Sequence, residues 1–163
     1  MHPLELVSAA PWRRVAFTTY ALSLSFFEAV ILDALIRGGG RNATIFADPM
    51  GVRAALSEQG ARGAGREYEV EPIACRTGAF HPKLGIFVSD SDCHLTVGSG
   101  NLTFGGWGVN LECWEHLHPS FAADAFDDTV DMLELLTADD RIRTGAHDAL
   151  LSLAAAIRVR VSN

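Results

Sequence analysis

Positive charge is scarce in this sequence: 13 lysines and arginines stand against 20 aspartates and glutamates, for a formal net charge of −7. Proteins that hold nucleic acid by broad electrostatics are usually basic, because counterion release from phosphates drives that binding. A phosphate-handling site in this chain must therefore be a local positive pocket in an acidic body. Cysteine is scarce as well. Cys75, Cys93 and Cys113 are odd in number and widely spaced, which argues against a disulfide framework and for a reducing, cytoplasmic setting. No C-x-x-C or H-x-x-x-H pair is present; His116-x-His118 would share a strand face, but the remaining ligands are scattered, so no metal site is expected. No basic segment leads into an apolar run, so no signal peptide is read. The most apolar stretch, Val15 to Ile36, carries Thr18, Thr19, Glu28 and Asp33 and is too polar for a membrane span.

What remains is an ordinary globular composition, 48% hydrophobic and 20% charged over 163 residues. A chain of this length folds as one domain and buries roughly 70% of the surface its unfolded form exposes. Residues 15–21 (VAFTTYA) read as a strand and 22–37 as an amphipathic helix stopped by Gly38-Gly39-Gly40. Residues 43–48 form a buried strand, with a helix after Pro49; 61–66 is a flexible loop, and 67–74 a strand with a bulge or edge at Pro72. Strands follow at 80–89, 93–97 and 109–117, then an acidic amphipathic helix at 121–137 and a last helix at about 139–159. This order predicts a mixed, mostly parallel α/β sheet with helices on both faces. Residues 1–163 are read as that single domain, and the basic–apolar ending IRVRVSN leaves open a longer protein of which this is the amino-terminal part.

Five glycines fall between Gly98 and Gly108, so the backbone there turns sharply or approaches something closely. A dinucleotide fingerprint fails, because Asn101-Leu102-Thr103 stands where the third glycine belongs, and a Walker A loop fails for want of Gly-Lys-Ser/Thr. His81-Pro82-Lys83 has its imidazole and ammonium two residues apart, which puts them on one face of a strand. The hairpin return brings Ser99 and Asn101 to the same end. An imidazole, an ammonium, a hydroxyl and an amide converging on one spot form a phosphoryl-transfer set that needs no cofactor.

These segments resemble the phospholipase D superfamily, whose pattern is His-x-Lys, four residues, Asp, six residues, then Gly-Gly/Ser-x-Asn. HPK at 81–83 and GSGN at 98–101 match it. The continuation LTFGG through Asn110-x-Glu112 is similar to the nuclease-like branch, the restriction-enzyme and helicase-associated domains, and FTTYALSLSFFEAVILDAL is similar to that branch's opening strand and helix. Val88 stands where the family aspartate would fall, an absence the resemblance places among the traits of this branch, and the gap to Gly98 is three residues longer than the pattern. The resemblance implies a metal-independent phosphodiesterase, a DNA endonuclease foremost, in which one histidine attacks phosphorus and a second protonates the leaving oxygen. His94, His116, His118 and His147 have no lysine two residues on. A second copy of the chain, in a homodimer, is then the simplest source of the second His-x-Lys.

The expected catalytic residues are His81, Lys83, Asn101, Ser99 and Glu112, and the expected substrate-binding residues Gly98, Gly100, Thr103 and Trp107. Glu112 either orients His81 or Lys83 or sits in a structural salt bridge; Ser99 either contacts phosphate or serves the turn. Thr103 also reads as the cap of a short helix in LTFGG, and Trp107 either stacks on a base or packs inside. Arg13, Arg14 and Arg41 are among the expected rim cations for a polyanion. The resemblance further implies a helicase or defence-system partner. Two alternatives stand beside the nuclease: a catalytically weak scaffold that binds nucleic acid or a partner protein, and a lipid or small-molecule phosphodiesterase.

Overall fold

Every second residue of the strand at Arg14–Thr19 is large and apolar toward one side: Val15 and Phe17 point to one face, Ala16 and Thr18 to the other. That alternation recurs along a six-stranded sheet, and helices bury both faces. The computed structural model describes residues 2–161. Its strands are β1 (Arg14–Thr19), β2 (Ala43–Ala47), β3 (Tyr68–Pro72), β4 (Leu84–Val88), β5 (Cys93–Gly98) and β6 (Trp114–Leu117). Their order in the sheet is β3-β2-β1-β4-β5-β6.

The sheet is mixed, but not mostly parallel. β1 pairs with β2, and β2 with β3, in parallel; β1–β4, β4–β5 and β5–β6 are antiparallel. The reason lies between Pro72 and Leu84, where no crossover helix forms. Parallel neighbours need such a crossover; without one the chain returns beside β1 in the opposite sense, and the hairpins that follow keep alternating.

On one face lie α1 (Pro3–Val7), which the sequence pattern did not predict, α2 (residues 24–37) and α3 (Pro49–Ala55). Phe26, Phe27, Ile31 and Leu35 of α2 are buried against Phe17, Ile45 and Phe87. Ser23 caps the start of α2 through Phe26 N, and the Glu58 carboxylate accepts from Leu24 N, Ser25 N and both serine hydroxyls, Ser23 and Ser25. A carboxylate in that place answers the free N–H groups of a helix start. Burial works against its charge, but these hydrogen bonds prevail and hold the Glu58 pKa below its ordinary value. Gly39, at φ 79°, supplies the left-handed stop expected after the helix.

The other face is covered by a helical hairpin, α4 (Pro119–Thr137) and α5 (Thr144–Val161). Phe126, Val130 and Leu133 with Leu150, Leu153 and Ile157 bury Phe46, Ile86, Val88, Cys93 and Leu95. The loop at 61–66 is more tightly held than its composition suggests, since Arg62 N and Gly63 N both donate to the Glu28 carboxylate. The expected strand at 109–117 is only four residues long, because 105–109 is a single wide helical turn closed by Asn110 N on Gly105 O. The last helix begins at Thr144, and the end of IRVRVSN, at 162–163, lies outside the described residues.

Candidate active site

Three strand ends meet at one edge of the sheet: the ends of β1 and β5 and the start of β4. His81 and Lys83 lie on extended chain just before β4 rather than within it. Two buried groups hold that segment. The Asp48 carboxylate, which also caps α3 through Met50 N, accepts from Phe80 N at 3.0 Å. The Thr18 hydroxyl accepts from Leu84 N at 2.8 Å. With both flanks pinned, Lys83 Nζ sits 2.7 Å from His81 Nδ1 and donates to the His81 carbonyl at 2.9 Å. Lys83 is 8% exposed, whereas the His81 imidazole is open to solvent beside the Tyr20 ring, 5.1 Å between centroids.

Burial lowers the Lys83 pKa from its ordinary value, and the negative charge of Glu112 acts in the opposite sense. Glu112 makes no hydrogen bond to His81 or Lys83 among the described residues. Its carboxylate accepts from Ser99 Oγ at 2.5 Å and from Asn110 Nδ2 at 3.3 Å, while Ser99 Oγ itself accepts from Cys113 N at 3.0 Å. Ser99 and Glu112 thus form one linked pair that faces Lys83 through charge. Asn101 ties β5 to the end of β1: its Oδ1 accepts from Ala21 N at 3.0 Å. That leaves the Nδ2 amide without a protein partner among the described residues, a donor available to a phosphate oxygen.

The glycines serve packing. A Cβ on Gly98 would lie 2.3 Å from the Trp114 ring, and one on Gly100 2.2 Å from the Gly106 carbonyl. Gly98 N donates to Lys83 O and Ser99 N to Cys113 O, so neither N–H is free to receive an anion. Thr103 Oγ1 accepts from Gly106 N at 3.1 Å, the capping role. Trp107 is 7% exposed and packs on Phe17, Phe26 and Trp114; its buried ring is out of reach of a base. The exposed ring beside His81 is that of Tyr20. Arg13 precedes β1, Arg14 begins it and Arg41 precedes β2, so all three lie at the far edge of the sheet, where Arg13 pairs with Asp90.

The sequence pattern did not single out Asp48, Thr18 or Tyr20. An aspartate before a proline does signal a helix cap, but its second hydrogen bond, across the sheet to Phe80, is visible only in three dimensions. Val88 is 3% exposed and packed under α4 and α5, so a carboxylate there would be buried among apolar groups.

The fold is a six-stranded mixed sheet between helical layers, with a His-x-Lys and an asparagine gathered at one edge. No protein-family model matches the chain, and no curated protein matches it in sequence. Among solved structures, NucT from Helicobacter pylori superposes with a TM-score of 0.51 over 80% of this chain and 84% of its own, at 16% identity. Nuc from Salmonella typhimurium, a phospholipase D family member, gives 0.46 over 76% and 81%, at 18% identity. At these identities the likeness is one of fold. No helix of the described residues is long and apolar enough to cross a membrane.

Proposed function

We propose that this chain is a metal-independent phosphodiesterase acting on nucleic acid, DNA foremost, through a phosphohistidine on His81 in a homodimer. The observation that carries this reading is the exposed His81 imidazole held 2.7 Å from the buried Lys83 ammonium. A ring nitrogen of His81 attacks phosphorus; the P–N bond forms as the P–O bond to the leaving nucleotide breaks. The departing oxygen takes a proton from a second imidazole, which then removes a proton from water, and that water cleaves the P–N bond and frees His81. Lys83 and the free amide of Asn101 offset the charge that develops on the non-bridging oxygens. Ser99 and Glu112 position Lys83, and Tyr20 offers a face for a base.

Among the described residues no second imidazole contacts His81: the ring against it is that of Tyr20, and His94, His116 and His118 gather at the other end of β5 and β6. A second copy supplies it. The loop from Asn101 to Glu112 exposes Phe104, Val109 and Leu111, apolar surface that a partner copy would cover.

Chelator-treated protein incubated with single- and double-stranded DNA, RNA and bis(p-nitrophenyl) phosphate tests this. Hydrolysis without added metal is expected, with specific activity rising with protein concentration as dimers form. Absence of hydrolysis, combined with a shifted labelled duplex, supports the scaffold instead; hydrolysis of phospholipid but of no nucleic acid supports the lipid enzyme. Either result overturns the proposal.

A further inference from the structure

We propose that Asp92, His94 and His118 form a second site, for a divalent first-row transition-metal cation of the zinc class, braced by His116. It sits at the opposite end of β5 from Ser99, five residues or roughly 16 Å away. The β5–β6 register pairs Leu95 with Leu117 and therefore sets His94 opposite His118. His116, two residues before His118, points to the same face. The rings lie against one another, with His94–His116 centroids 5.0 Å apart and His94–His118 4.9 Å, and Trp12 meets the edge of His94.

The donor atoms are gathered already. His118 Nε2 is 2.8 Å from Asp92 Oδ1 and His94 Nε2 3.1 Å from Asp92 Oδ2, and one ligand atom from each residue lies within 4.8 Å of the others. Tetrahedral ligands at zinc–nitrogen distances stand about 3.3 Å apart, so a cation needs only a small inward adjustment. Imidazole nitrogens favour zinc-class ions over calcium or magnesium. Asp92 and His118 are part-exposed, 43% and 29% at the side chain, which leaves an entry path and a fourth position for water.

The outer groups suit ligation as well. A His94 that binds through Nε2 carries its proton on Nδ1, and His116 Nε2 stands 2.8 Å from that atom to accept it. His118 Nδ1 accepts from Ser120 N at 3.2 Å and lies 2.7 Å from Ser120 Oγ; ligation through Nε2 moves a proton to Nδ1, which then donates to Ser120 Oγ and gives up its bond from Ser120 N. Both rings remain neutral; each exchanges an Nε2 proton for one on Nδ1, and the cation takes the vacated lone pairs.

A cation there would join the β4–β5 turn, which holds Asp92, to the end of β6 and to His118, the cap of α4. Its effect is on stability rather than on phosphoryl transfer, so its failure would leave the His81 proposal standing, and the reverse holds too.

The test is competition of the untagged full-length chain against a chromophoric chelator for Zn²⁺, with Co²⁺ as the spectroscopic substitute and anomalous diffraction to locate the ion. One equivalent per chain is expected, with a raised Tm and an anomalous peak between Asp92, His94 and His118. His94→Ala and His118→Ala should each weaken binding by about 100-fold or more, and His116→Ala by roughly 10- to 100-fold, while His147→Ala leaves it unchanged. Absence of saturable micromolar binding by the wild-type chain, or an anomalous peak elsewhere, overturns the proposal whether or not the variants fold.

Discussion

Replacing His81 with alanine is expected to lower phosphodiester hydrolysis by about 10³-fold or more while leaving the fold as it is. The two halves of this expectation have separate causes. The loss follows because the proposed mechanism makes the imidazole the attacking group, and neither Lys83, buried and directed at the His81 carbonyl, nor the solvated Ser99–Glu112 pair can take its place. The intact fold follows because His81 is exposed and makes few contacts beyond Lys83 and Tyr20; substitutions at such positions usually change stability within about 0.5 kcal/mol. The backbone on either side stays anchored through Asp48 and Thr18. Hydrolysis of bis(p-nitrophenyl) phosphate and thermal unfolding, measured on one preparation, check both halves. A variant that hydrolyses at the wild-type rate would remove His81 from the mechanism.

Gly100→Ala should have a large effect on stability. A methyl there would stand 2.2 Å from the Gly106 carbonyl and 2.8 Å from the Trp114 ring. The first neighbour is backbone, and in turn a Cβ on Gly106 would meet the backbone of Asn101. Two chain segments interlock with no side chain free to move aside. Overpacking of this kind costs about 2–3 kcal/mol, which for a chain of this size lowers Tm by roughly 5–10 °C. Asn101 follows Gly100 directly, so hydrolysis should fall with stability. Gly108→Ala is the matching control: nothing lies within 4 Å of its Cβ position, and little change in Tm is expected. Equal Tm values for the two variants would contradict the interlocked packing.

Several of these features were legible in the residues. The alternation in 15–21, the apolar spacing of 22–37 and the turn at Asp90-Ser91-Asp92 announced β1, α2 and the β4–β5 hairpin, because each is a local pattern with a local cause. The spacing of His81 and Lys83, with Ser99 and Asn101 a hairpin away, led to the edge where these four residues do gather. What was not legible depends on which strands become neighbours. The prediction of a mostly parallel sheet failed at the stretch from Pro72 to Leu84, where no helix forms and β4 settles antiparallel beside β1. Trp107 is left open by the sequence, as a base-stacking ring or a packed one; the wide turn at 105–109 folds it against Phe17 and Phe26. The histidine cluster is the plainest case. Asp92-x-His94 and His116-x-His118 are unremarkable pairs in the chain, and only the β5–β6 register brings them together.

In the proposed reaction the His81 imidazole becomes covalently phosphorylated without help from a metal. The most direct measurement mixes chelator-treated protein with excess bis(p-nitrophenyl) phosphate, stops the reaction in alkaline denaturant and maps the peptides by mass spectrometry. A p-nitrophenylphosphoryl adduct is expected on the peptide containing His81, lost on acidification and absent from His81→Ala. Turnover that stops with chelator and proceeds with no adduct on that peptide would contradict it.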